Sequence, residues 1–140
     1  MATPGGRLRR EGFEEEMGSA LDPSLVVEAA FDPRAGYEAA IKLLSRPEPP
    51  DAIFAASDSI ALGVLYAADE LGLDVPGDIG VAGFDGSAQE SALHGRKLTT
   101  MAQSWGEISR EVVDLLLEVI ETSSAAPVSM DAELVVGSTT

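Results

Sequence analysis

The stretch DAIFAASDSIALG (51–63) is followed, after a run with helical spacing, by VPGDIGVAGFD (75–85). An apolar run, a Ser57–Asp58 pair and a set of helix formers read as strand, cap and helix. The second run reads as another strand that ends on Asp85. A strand, helix, strand unit with a polar group at the carboxyl end of each strand belongs to an open α/β sheet. Such sheets take ligands in the crevice beyond those carboxyl ends. The pattern points to small-molecule binding.

Outward from that unit the alternation continues. Residues 7–17 combine helix formers with alternating charge, and Leu8, Phe13 and Met17 supply an apolar face. Asp22-Pro23 marks a turn, and 25–30 reads as a short buried strand ending at Phe31. Asp32-Pro33 opens a helix whose apolar positions are Tyr37, Ala40, Ile41 and Leu44, and Pro47, Pro49 and Pro50 end it. Residues 52–56 read as a strand covered on both faces. Ser57 or Asp58 caps the helix that runs to Leu71, and Gly72 stops it. Residues 79–82 form the next strand, and a polar loop with Gln89 and His94 leads to Leu98-Thr99-Thr100. The longest helix spans 104–121, with Ile108, Val112, Leu115, Leu116 and Val119 on one face, and 134–136 closes the chain as a last strand. The fold class is α/β, a mostly parallel sheet flanked by helices.

Composition narrows the function. The chain has 140 residues, 45% of them hydrophobic, which suits one domain with a real core. Acidic residues number 24 against nine basic ones, a formal charge of −15. Nucleic-acid binding needs a basic footprint, and the cations at Arg7, Arg9 and Arg10 are followed at once by Glu11 and Glu14 to Glu16. By itself this chain is expected not to bind DNA. It has no cysteine, hence no disulfide or thiolate chemistry. No apolar run approaches a bilayer span and the N-terminus shows no signal peptide, so the expected location is cytoplasmic, with no membrane partner.

Several residues are candidates for chemistry, each with a plain structural alternative. Asp85 can grip ligand hydroxyls or an amine, or it can simply turn the chain. Ser57 and Asp58 stand at the equivalent end of the preceding strand, where either can cap a helix while its neighbour faces a cleft. Arg9 can offer a bidentate guanidinium, or pair loosely with Glu14 or Glu16 at the surface. Phe31 can wall a pocket for a sugar or base, or belong to the core. His94 is the sole histidine and makes neither a zinc site nor a general base alone. The serines lack usable His and Asp partners, and no phosphate-binding glycine loop is present. No metal or cofactor is implied. A small hydrolase built on Asp85 would lack a base, metal or oxyanion donors, so an enzyme is not expected.

Taken together, REGF (10–13) with Arg9, FDPRAGY (31–37), PDAIFAASDSIALG (50–63), LGLDVPGDI (71–79), GFD (83–85), LTT (98–100) and LVVGST (134–139) occur in one order along the chain. This set resembles the effector-binding domain of LacI/GalR-type transcriptional regulators, a fold shared with periplasmic sugar-binding proteins. The resemblance implies ligand contacts at Arg9, Phe31, Ser57, Asp58, Asp85 and Gln103, and a dimer face on the helix bearing Leu62 and Leu65. It also implies a sugar or similar metabolite bound between two subdomains, controlling a DNA-binding dimer allosterically. Ser57 departs from the family's usual Asn, and Arg96-Lys97 replaces its common Pro-Pro.

The family's helix-turn-helix and most of its first subdomain have no counterpart here, nor does the strand that precedes the Arg9 helix. The resemblance therefore implies a fragment of a longer regulator, with DNA contacted only through a domain absent from this chain. On that reading 1–100 is the C-terminal effector subdomain lacking its first strand. Residues 101–126 are a crossover helix that would pack on the missing subdomain, and 127–140 are the returning terminal strand. A rival with the same fold is a sugar-binding protein of a transport system.

Overall fold

The computed structural model describes residues 4–88 and 95–140. Helix α1 spans Pro4–Met17, α2 Pro33–Leu44, α3 Asp58–Leu71 and α4 Trp105–Thr122. The strands are β1 Ala52–Phe54, β2 Gly80–Asp85, β3 Thr99–Gln103 and β4 Ala132–Val135. They form one sheet in the order β1-β2-β3-β4. The β1–β2 and β2–β3 pairs are parallel, whereas β4 returns antiparallel to β3. The mostly parallel α/β architecture expected from the alternation is what the chain adopts.

Local chemistry explains the helix limits. Asp32 accepts the Ala35 N–H at 2.9 Å and Pro33 occupies the first turn of α2. Ser57 accepts the Ile60 N–H at 3.2 Å to open α3, and Gly72, at φ 71°, closes it in the left-handed conformation. The helices α2 and α3 lie backbone to backbone. A Cβ on Gly36 would strike Ile60 O, and one on Gly63 would strike Pro33 O and Tyr37 N. That approach packs Ala40 and Leu44 of α2 against Ala61, Val64, Leu65 and Ala68 of α3, with Ile79, Val81 and Leu98 beneath them. Small side chains make the core thin, so its apolar burial depends on this close fit.

Two strand expectations fail. Residues 25–30 form no strand. Asp22 accepts from both Ser24 N (2.8 Å) and Ser24 Oγ (2.7 Å), which draws Pro23–Leu25 into a 3₁₀ turn. The following 26–30 stretch joins no ladder among the described residues. Its β-branched residues favour extension, but a strand needs an edge to pair with. The 52–56 run is not covered on both sides either. β1 is the sheet edge, and its Phe54 is exposed apart from a stack on Phe13 of α1, ring centroids 5.7 Å apart.

The C-terminal segment is built into the sheet. Thr139 O accepts the Val81 N–H at 2.7 Å, and Thr139 Oγ1 donates to Val81 O (2.7 Å) while accepting from Thr99 N (3.0 Å). Helix α4, by contrast, buries none of its residues, and Val112, Leu116, Val119 and Ile120 are exposed along it. No helix among the described residues is long and apolar enough to cross a membrane.

Candidate functional site

The carboxyl ends of β1, β2 and β3 lie side by side because these strands are parallel, and α1 lies against the ends of β1 and β2. Arg9, on the second turn of α1, turns inward. Its guanidinium lies 3.9 Å from the centre of the Phe84 ring and 5.9 Å from that of Phe31. Its Nη1 donates to Ala56 O at 2.6 Å, just beyond the end of β1. The expected surface pairing belongs to Arg10 instead, which bonds Glu14 Oε1 at 2.7 Å. One residue along a helix is a rotation of about 100°, enough to send neighbouring arginines to water and to the rim.

Partial burial lowers the pKa of Arg9, while the charges of Asp85 and then Asp58 raise it. The guanidinium stays protonated, since no plausible shift brings an arginine near neutrality. A cation stacked on Phe84 and facing a carboxylate can bind a polar ring: its N–H groups meet hydroxyl or carbonyl oxygens, and the aromatic rings meet apolar faces. Phe31 is 41% exposed, so its ring is open to a ligand. Below the rim on the β1 side, Leu8, Gly12, Phe13, Phe54 and Phe84 line with Arg9 a depression of about 330 Å³.

Asp85 ends β2 with φ at 105°, a left-handed value that is uncommon for any residue but glycine. Its Oδ1 accepts the Ser87 N–H at 2.9 Å and its carbonyl accepts Trp105 Nε1 at 3.0 Å. Gly86 follows at φ 71°, where a Cβ would meet Ala102. Gln103 ends β3 beside this turn. Arg9 is thus set beside Phe31, Phe84 and Asp85, and Gln103 ends the strand next to Asp85.

Ser57 and Asp58 do not reach the rim. Ser57 caps α3, and Asp58 is 1% exposed. The Asp58 carboxylate accepts Thr100 Oγ1 at 2.6 Å and the Ala88 N–H at 3.0 Å, tying α3 to β3 and to the loop after β2. Gly83 is required there, since a Cβ on it would collide with the Asp58 carboxylate. Asp58→Ala is expected to destabilise the fold by about 2 kcal/mol, because two polar partners lose their acceptor. Asp58→Asn, which keeps one acceptor oxygen, should lose about half as much. Urea unfolding midpoints of the two variants check the order.

Leu65 also departs from its expected role. It is 1% exposed within the core, packed under α2, and presents nothing to a second chain. Leu62 is half-buried at the margin of that cluster, and Tyr66 is the exposed residue of this turn. The Leu-x-x-Leu spacing marks an apolar face in either case, and here that face is buried at Leu65 and half-buried at Leu62. His94 and Gln89 lie outside the described residues. Among the described residues no cluster of His, Asp or Glu could hold a metal ion. Trp105 was not singled out from the sequence; an aromatic residue two positions after the β3 run and opening a helix was the available signal.

With this geometry in place, comparisons with known proteins become informative. The family model described as periplasmic binding protein-like domain matches residues 2–140. The HTH-type transcriptional repressor PurR of Haemophilus influenzae is 42% identical over 117 residues, covering 81% of this chain and 34% of the relative. A LacI transcriptional regulator from a Rhodococcus species superposes with a TM-score of 0.86 at 34% identity, over 99% of this chain and 52% of that one. The transcriptional regulator CelR, solved as a cellobiose complex, gives 0.81 at 29% identity, over 96% of this chain and 42% of its own. The chain thus spans roughly a third to a half of the length of the proteins it matches.

Proposed function

We propose a function for this chain from one premise: it belongs to the periplasmic binding protein-like domain family, and within it to the LacI-type transcriptional regulators. It is the ligand-sensing part of such a regulator. A small polar metabolite, a sugar in the first instance, binds at the rim formed by Arg9, Phe31, Phe84 and Asp85. A second subdomain, contacting α4 and the rim from above, closes over the ligand. Ligand affinity differs between the open and closed arrangements, and that difference shifts the DNA-binding state of a dimer.

The observation that carries this reading is the inward Arg9, stacked on Phe84 and beside Phe31, with Asp85 close enough to favour its charge. Such an arginine is partly desolvated and, among the described residues, has no carboxylate clamped to it, so N–H groups other than the one bonded to Ala56 O can meet a ligand. The cellobiose complex of CelR supports a sugar as the first class to try.

The test uses the full-length protein in which this chain occurs. Calorimetry against cellobiose, other disaccharides and their component monosaccharides should yield at least one saturable binder. Arg9→Ala should weaken that binder about 50-fold, and Asp85→Ala about 10-fold, in line with charge-assisted hydrogen bonds of about 1.5–3 kcal/mol. Absence of any sugar binder, or a binder indifferent to both substitutions, would remove the reading.

A further inference from the structure

Asp85 is one of two described residues other than glycine that adopt a positive φ. The other, Ser123, is the ordinary left-handed stop of α4. At 105°, Asp85 sits in a region that L-residues adopt only when their surroundings hold them there. Those surroundings are few. Ser87 N–H donates to the side chain, the strand pairing with Ala102 holds one flank, and Gly86 tucks against Ala102. The carbonyl of Asp85, at the last pair of the β2–β3 ladder, also accepts the indole N–H of Trp105 at 3.0 Å.

Trp105 is also the first residue of α4, and that helix is otherwise loosely attached. Ser104 makes no side-chain cap bond and no residue of α4 is buried. The indole is 50% exposed, so it is not a core side chain whose ring happens to pass a carbonyl. We propose that Trp105 is the positioning residue of Asp85: its N–H holds the rim residue in the left-handed conformation from which the carboxylate meets a ligand. This rests on the ligand reading of Asp85 given above, and it links the carboxylate mechanically to α4.

The conformational penalty at Asp85 and the strength of one neutral hydrogen bond are of the same order, so removal of the donor should matter. Glycine at 85 would carry no such penalty, and the donor should then be dispensable. A double-mutant cycle on the 140-residue chain separates positioning from simple anchoring. Trp105→Phe keeps the ring and deletes the donor, and should raise the unfolding equilibrium constant about 5-fold. In the Asp85→Gly background the same change should raise it less than 2-fold. Amide exchange at Ser87 supplies the second readout, and Trp105→Phe should accelerate it about 5-fold while the amides of α3 are unaltered.

In the full-length protein, with cellobiose as the probe, Trp105→Phe should weaken binding about 5-fold without altering the α3 amides. An equal effect of Trp105→Phe in both backgrounds, with unchanged exchange at Ser87, would show that the indole merely anchors α4 and would overturn the proposal. Failure of every sugar to bind would instead remove the ligand reading, and the cycle would still decide whether Trp105 governs the conformation of Asp85.

Discussion

Gly63→Ala is expected to lower the folding stability by about 3 kcal/mol, opposite in sign to the usual effect of alanine in a helix. Alanine is favoured over glycine by about 1 kcal/mol in a helix interior. At position 63 that gain is outweighed, because the added Cβ lands on Pro33 O, Tyr37 N and Gly36 C. All three are backbone atoms of α2 and cannot rotate away. The helices must move apart, and the contacts of Ala40 and Leu44 with Ala61, Val64 and Leu65 loosen together. Gly12→Ala is the matched control. It lies within α1, where a Cβ would meet nothing within 4 Å, and it should be neutral or stabilising by up to about 1 kcal/mol. Urea unfolding of the two variants, monitored by far-ultraviolet circular dichroism, gives the comparison. Equal and favourable shifts for both would mean that α2 and α3 are not in backbone contact.

Nothing within 51–63 reveals why residue 63 is glycine. The reading of that stretch as strand, cap and helix needed only local chemistry, and Ser57, Gly72 and the apolar spacing supplied it. The same holds for α2, whose Asp32-Pro33 start is a local signal. The close approach of the two helices is a tertiary fact, visible only when Gly36 and Gly63 are seen opposite each other. Residues 25–30 show the converse. Their composition suits a strand, but strand formation depends on a neighbour that propensity does not encode, and the Asp22–Ser24 bonds favour a turn instead.

The site was legible to a similar depth. That polar residues at the ends of parallel strands lie side by side follows from topology alone, so Asp85 could be placed from the strand order, whereas Gln103 came from the resemblance. The choice between Arg9 and Arg10 could not be made from helix formers and charge; the resemblance carried it, through the spacing to Gly12 and Phe13. Asp58 was placed at the right strand end, but its engagement with Thr100, 42 residues away, leaves it inside the fold. A carboxylate next to a cap looks the same in sequence whether it faces a ligand or a buried hydroxyl.

The LVVGST segment offers a second large effect. Thr139→Val should lower stability by about 4 kcal/mol, although it lies one residue from the end of the chain, where substitutions are ordinarily tolerated. Valine has nearly the shape of threonine, so the apolar packing changes little and the loss isolates the hydroxyl. That hydroxyl is fully buried and has two partners, donating to Val81 O and accepting from Thr99 N. Removing it takes the hydroxyl partner from the Val81 carbonyl of β2 and from the Thr99 amide of β3, each worth about 1–3 kcal/mol. Thr139→Ser retains both bonds and should lose only the methyl contact, about 1 kcal/mol. Thr139 O would still accept from Val81 N in both variants, so the difference between them measures the hydroxyl alone. Two variants with the same unfolding midpoint would mean that the segment lies against the sheet without completing its hydrogen bonding. A gap of about 3 kcal/mol between them would show the reverse, and would explain why a threonine is needed where β2 and β3 leave one donor and one acceptor facing each other.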